Sequence, residues 1–178
     1  MRRHEREITD IEEIIGIIRN SPFMTASFID SSEPDFPYSV PLNFGLLYDE
    51  SPDGGKKDGR ISFWFHCAAE GHKISCIRSN PNVAVTFVSS SEVGIPEGAD
   101  LEKACAWTCF FASVCARCSA EIIVEREEKR RGLDAIMRRY GFPERTGQEP
   151  FYTDAALDSV CVVRLDVLSV TAKANWRR

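Results

Sequence analysis

The sequence predicts a mainly β protein, an antiparallel barrel flanked by helices, and three observations carry that prediction. About six runs read as strands against only three that read as helices, and the two kinds do not alternate, which argues against a doubly wound α/β sheet. Neither GxGxxG after a strand nor GxxxxGK followed by Ser or Thr occurs, so the two commonest nucleotide cradles are missing. At 178 residues, with 43% apolar and 28% charged residues, the chain suits a single domain with a core of its own.

The first element reads as a helix from Asp10 to Asn20. Thr9 and Glu12 have capping-box spacing, Ile11, Ile14, Ile15 and Ile18 form one apolar stripe, and Ser21-Pro22 ends it. Phe23 to Ile29 reads as a strand, Ser31 to Asp35 as a turn, and Tyr38 to Phe44 as a second strand. Pro41 inside that strand removes a ladder donor and predicts an edge, a bulge or a ligand contact. Asp49 to Gly59 is a polar, glycine-rich hairpin loop, and Ile61 to Phe65 a third strand.

Glu70 to Ser79 carries Ile74 and Ile77 at helical spacing and stops at Asn80-Pro81. Val83 to Val88 is a fourth strand, and Ser89 to Lys103 a loop long enough to line a site. Ala104 to Val124 reads as one long bent strand or two joined by a bulge. Glu125 to Tyr140 is the clearest helix, with Leu133, Ile136, Met137 and Tyr140 on one face and Gly141-Phe142-Pro143 as its stop. A linker runs to Leu157, Val160 to Val167 is a last strand, and Thr171 to Arg178 a tail.

Charge and composition exclude some functions. The net charge of -5 and the lack of any basic run beyond pairs such as Arg130-Arg131 argue against nucleic acid as a partner. No apolar run reaches membrane-spanning length, and no hydrophobic signal core follows Met1, so the expectation is a cytoplasmic protein without a membrane partner. Seven cysteines, an odd number sitting mostly in apolar strand-like runs, read as reduced thiols. Cys115 and Cys118 have CxxC spacing, but strand parity turns them to opposite faces and no second pair accompanies them, so no metal site is expected.

The most informative stretch runs from Ile61 to Lys73. An apolar run ends in His66, a small-residue turn follows, and Gly71, His72 and Lys73 stand where a helix begins. Converging backbone N–H groups, the positive end of the helix dipole and a lysine make an anion site, for which a phosphate is the natural guest. His66 reads either as a hydrogen-bonded core residue or as a site group able to donate a hydrogen bond or a proton. Trp64, Trp107 and Trp176 read as core or interface anchors.

Five motifs in order carry a resemblance: Tyr38-Ser39-Val40-Pro41-Leu42-Asn43-Phe44-Gly45, Phe65-His66-Cys67-Ala68-Ala69-Glu70-Gly71-His72-Lys73, Ala112-Ser113-Val114, the run Glu127 to Met137, and Val170-Thr171-Ala172-Lys173. Together they resemble the FMN-binding split-barrel flavoproteins related to pyridoxamine 5′-phosphate oxidase, in particular the branch of nitroimidazole-resistance proteins. The resemblance implies a six-stranded antiparallel split β-barrel working as a homodimer, with one FMN in each of two clefts at the interface. It implies that the backbone of Val40, Pro41, Leu42 and Asn43 follows the isoalloxazine and that Lys73, with Gly71 and His72, faces the phosphate. Ser113, on a neighbouring strand, then offers its hydroxyl to the same region, His66 lies near the flavin as the catalytic group, and Trp176 caps the partner's cleft. Ala112 and His72 stand where that branch often has a cation.

The activity implied is FMN-dependent reduction of a small oxidised compound, such as a nitroimidazole, with NAD(P)H as hydride donor. The alternative is a non-catalytic flavin- or haem-binding module with His66 as the haem-ligand candidate. A pyridoxamine phosphate oxidase proper would need an arginine and histidine pair near the C-terminus, where this chain has Asn175-Trp176-Arg177.

Overall fold

The structure is a computed structural model that describes residues 3–49 and 60–176. A two-residue strand β1 (Glu7–Ile8) precedes helix α1 (Ile11–Asn20). Strands β2 (Met24–Phe28), β3 (Tyr38–Leu42), β4 (Gly45–Asp49) and β5 (Arg60–Cys67) lead to α2 (His72–Ser79). Two long strands follow, β6 (Asn82–Gly94) and β7 (Thr108–Ile123), then α3 (Arg126–Arg139), α4 (Phe142–Thr146), α5 (Asp154–Ser159) and β8 (Cys161–Asn175). Residues 50–59 of the expected hairpin loop lie outside the described residues.

All pairings are antiparallel, in the order β3-β2-β6-β7-β8-β5-β4, with β1 added to β8. The mainly antiparallel sheet with flanking helices fits the expected split-barrel class, with eight strands among the described residues where six were expected. The two additional strands have simple causes. Gly45–Asp49 pairs with Arg60–Ile61 and onward to Trp64, so the residues after Phe44 return as a strand. Glu7 and Ile8 pair with Lys173 and Ala172 at the end of a strand that runs well past Val167.

Other boundaries also shift. The side chain of Asp10, not Thr9, caps α1 by accepting from the Glu13 N–H at 3.0 Å. Helix α2 begins at His72 rather than Glu70, because Gly71 has φ 134° and cannot continue a helix. The expected loop at Ser89 is strand as far as Gly94, held by pairing down to Gly94 opposite Thr108, and only the following segment is irregular. Ala104 to Val124 is one strand from Thr108, with a register shift between Arg117 and Cys118. The linker before Leu157 contains α4 and α5, and the tail is strand to Asn175. Pro41 does lie on an end strand, where its missing donor costs no ladder bond beyond β2.

The sheet has an inner and an outer face. Inside, Met24, Ala26, Phe28, Val83, Val85, Phe87, Phe63 and Phe65 are buried together with Ile15 and Ile18 of α1 and Ile74 and Ile77 of α2. Phe44, Phe63 and Phe87 form a ring cluster with centroids 4.8–6.3 Å apart. Outside, one part of the sheet is covered: Trp64, Ile123 and Val162 pack under Leu133 and Ile136 of α3 and Leu157 of α5. Glycine permits that close approach. A Cβ on Gly132 would stand 2.3 Å from Trp64 Cε3, and one on Gly45 2.6 Å from the Ile136 backbone N. Arg139 at the end of α3 lies 3.9 Å over the Phe44 ring and donates to the Arg19 and Ser21 carbonyls, fastening α3 to the end of α1.

Candidate functional site

The N-terminus of α2 is built as the sequence predicts. Gly71 sits in the positive-φ region that disfavours side chains, and its carbonyl accepts from the Ile74 and Ser75 N–H groups at 3.0 and 3.1 Å. The two N–H groups before these, of His72 and Lys73, have no partner within the helix. Lys73 is half-buried and makes no hydrogen bond or ion pair among the described residues, although it lies close enough to Cys67 to bear on its thiol.

The His72 ring has partners within the protein. Its Nε2 donates to Asp30 Oδ2 at 2.5 Å, and its ring meets the Tyr38 ring edge-on at 4.6 Å. Asp30 is buried, and its other oxygen accepts from the Ser32 hydroxyl at 2.6 Å and the Ser32 N–H at 2.9 Å. Those hydrogen bonds, from Ser32 first and His72 after, outweigh burial and hold the carboxyl at about 2. A further bond joins Ser79 at the other end of α2 to Ser31 at 2.7 Å. The helix is thereby fastened to the end of β2 and to Tyr38, the first residue of β3. Asp30, His72 and Cys76 place ligand-type atoms within 4.8 Å of one another. Two ligands of one tetrahedral ion stand roughly 3.3 Å apart. The 2.5 Å contact is therefore that of a direct hydrogen bond.

The second feature is the uncovered part of the outer sheet face. Pairing places Pro41, Thr25, Thr86, Cys115 and Thr171 in one row across five strands, all exposed or half-buried. The next row is Ser39, Ser27, Ala84, Arg117 and Ser169, with the Ser27 and Ser39 hydroxyls 2.8 Å apart. Beside it a groove of about 350 Å³ is lined by Phe28, Ile29, Pro37 and Leu168, two of which are large exposed apolar residues. Small side chains leave the strand backbone approachable, and the parity of Cys115 and Cys118 is as predicted: one exposed, one buried.

The ten predicted residues do not form one cluster. Val40, Pro41 and Leu42 lie on β3 with Asn43 just beyond, and Gly71, His72 and Lys73 are joined to that strand through Tyr38. Ser113 is not on a strand neighbouring β3. Strands β2 and β6 intervene, a separation of about 14 Å at ordinary strand spacing. Its partners are Val88 and Lys173. His66 is exposed near the end of β5, opposite Val162 on the face that carries Trp64. Trp176 is exposed and lines a separate cleft of about 890 Å³ between the N-terminal segment, the Pro96–Ala99 loop and the end of β8, which contains none of the other nine.

Two residues were missed by sequence reasoning. Asp30 orients His72, and only its place before a turn marked it. Lys173 supplies a cation beside Ser113, its Nζ 5.5 Å from the Phe111 ring centroid, and it was visible as the last residue of the fifth motif.

An antiparallel sheet with one covered and one bare part of its outer face, flanked by helices, defines a split-barrel protein. The family model described as pyridoxamine 5′-phosphate oxidase matches residues 10–174, and the chain belongs to that family. Among solved structures it is similar to a candidate 5-nitroimidazole antibiotic resistance protein from Bacteroides thetaiotaomicron, at 29% identity and TM-score 0.72 over 94% of this chain and 85% of that one. It shares its fold with the FAD and heme binding protein from Mycobacterium smegmatis, at 17% identity and TM-score 0.75 over 97% and 76% of the two chains. The flavocytochrome Anf3 from Azotobacter vinelandii shares it at 18% identity and TM-score 0.73, over 98% and 72%. No curated protein matches the sequence. No helix among the described residues is long and apolar enough to cross a membrane.

Proposed function

We propose that the chain is an FMN-dependent oxidoreductase of the cytoplasm that takes hydride from NAD(P)H and reduces a small oxidised compound, a nitroimidazole being the class suggested by the Bacteroides relative. The observation that carries the proposal is Lys73. It is a half-buried cation without a partner among the described residues, on a glycine-started helix fastened to the strand of Val40, Pro41 and Leu42. A phosphate fits that setting, because it would meet a full charge and free helix N–H groups at once.

In this assignment Lys73 and the backbone after Gly71 hold the phosphate, and the Asp30–His72 pair positions the helix rather than touching the ligand. The backbone of Val40 to Asn43 lies along the ring system, and Thr25 and Thr86 are small enough to let the flavin approach the bare face. The flavin supplies the hydride and electron chemistry, and the protein binds it, orients it and sheds water from it. Ser113, Lys173 and Trp176 lie too far along the sheet to reach Lys73 within one chain. They serve a second cleft across a homodimer that buries the bare face and its apolar groove.

A non-catalytic flavin- or haem-binding module is the second reading, favoured by the exposed His66 and by the haem bound by the Mycobacterium protein. An absorbance spectrum of the purified protein, before and after FMN is added and excess removed, separates the cases. A retained flavin spectrum, followed by NAD(P)H oxidation with a nitro compound, is the expected result. A Soret band selects the haem reading, and a colourless protein that ignores FMN overturns both.

A further inference from the structure

Two of the seven cysteines meet only in the folded chain. Cys67, the last residue of β5, lies directly opposite Cys161, the first residue of β8. Opposed residues on antiparallel strands point to the same side, with Cα atoms about 4.5–5.5 Å apart, inside the roughly 4.4–6.8 Å span of a disulfide. Both side chains belong to the inner face of the sheet, packed with the buried core. Cys67 is half-buried, whereas Cys161 is buried.

We propose that Cys67 and Cys161 form a reversible dithiol–disulfide pair at the root of the turn that carries Gly71, His72 and Lys73. The oxidant is a low-molecular-weight disulfide. The Cys67 sulfur attacks one of its sulfurs, forming a mixed disulfide and releasing one small thiol. The Cys161 sulfur then attacks the Cys67 sulfur and releases the second. The protein gives up two electrons and both thiol protons, and the small disulfide leaves as two thiols.

The division of exposure suits the two steps, a half-buried entry thiol and a sheltered resolving one. Burial first, and then the neighbouring Cys161, push the Cys67 thiol up to about 11 against the pull of Lys73. The thiolate is therefore scarce at neutral pH and exchange is slow. The same setting gives the reduced state no thiolate stabilisation, so the bridge persists once made. Cys67 ends β5 immediately before the turn to Gly71 and Lys73, so the bridge fixes the chain where it departs for the proposed phosphate site. That consequence rests on the phosphate assignment, and the bridge itself does not.

The test incubates the intact protein with oxidised glutathione or with dithiothreitol, alkylates it under denaturing conditions, digests it and maps the peptides by mass spectrometry. The expected product is a linked peptide pair joining Cys67 to Cys161, lighter than the separate peptides by the two thiol hydrogens. In Cys161→Ala the link disappears and Cys67 carries glutathione instead. Cys67 and Cys161 recovered separately, or each joined to another cysteine, would overturn the pair. FMN retention is then compared between the two states. A change of at least twofold that Cys161→Ala abolishes supports control of the site. Equal retention with the bridge formed refutes that control alone, and failure of FMN to bind in either state refutes the phosphate assignment while leaving the bridge intact.

Discussion

Replacing Gly132 with alanine should loosen the helix that covers the outer face of the barrel, although alanine is the better helix former. The new Cβ would stand 2.3 Å from Trp64 Cε3, 2.9 Å from Cζ3 and 3.0 Å from Val162 Cγ1. Carbon atoms prefer about 3.5–4.0 Å, so α3 or the ring must move by more than about 1 Å. The ring has little room: Trp64 is 1% exposed and its Nε1 donates to Ser62 Oγ at 2.9 Å. Overpacking of this kind costs about 1–3 kcal/mol, against a propensity gain of about 1 kcal/mol. A contact as short as 2.3 Å against a fully buried ring belongs in the upper part of that range, about 2–3 kcal/mol, so we expect a net loss of about 1–2 kcal/mol, read as a fall in Tm of roughly 2–8 °C for a domain of this size. Gly16 in α1 is the internal control, since its Cβ would meet nothing within 4 Å and Gly16→Ala should stabilise by up to about 1 kcal/mol. Urea titrations of both variants measure the two signs. A Gly132→Ala protein as stable as the parent would refute the argument that glycine sets the helix-to-sheet distance.

Three further outcomes are expected. Lys73→Ala should weaken FMN retention by roughly tenfold or more, since a charge-assisted phosphate contact is worth about 1.5–3 kcal/mol, and equilibrium dialysis would show it. Asp30 is held at about 2 in the folded chain against an ordinary 3.8, so its stabilising effect is present above the ordinary value and is lost as pH falls through about 2. Asp30→Asn should remove that acid-limb dependence from Tm measured against pH, and a parallel curve in the variant would count against the Ser32 and His72 bonds as its source. Arg164, enclosed by Glu121, Glu128 and Asp166 and less exposed than Arg126, should cost roughly 1–3 kcal/mol when changed to alanine. Arg126→Ala, on exposed Asp154 and Asp158, should cost less than about 1 kcal/mol in the same denaturation assay.

Much of the local structure was legible because its causes are local. The isoleucine stripe of α1, the helical face of α3 and the alternation of β6 each declare their period within a few residues, and Pro41 correctly marked an end strand. Gly71 and Lys73 were also legible, as a backbone break followed by a cation. The extents of the long strands were not. Ser89 to Gly94 and Leu168 to Asn175 are polar or mixed in character and become strand through their pairing with β7, whose partners lie far away in sequence.

The site divides in the same way. Sequence by itself determined the order of motifs, the family they mark, and a helix start suited to an anion. Tertiary structure decided that His72 spends its ring on Asp30 and Tyr38, that Ser113 stands three strands from β3 with Lys173 beside it, and that Cys67 faces Cys161. The reason is the reach of each interaction. Propensity, capping and periodicity act over one or two turns of chain, whereas a side chain's partner is whatever strand register and helix docking bring within a few ångströms, here across 42 residues for the Asp30–His72 pair.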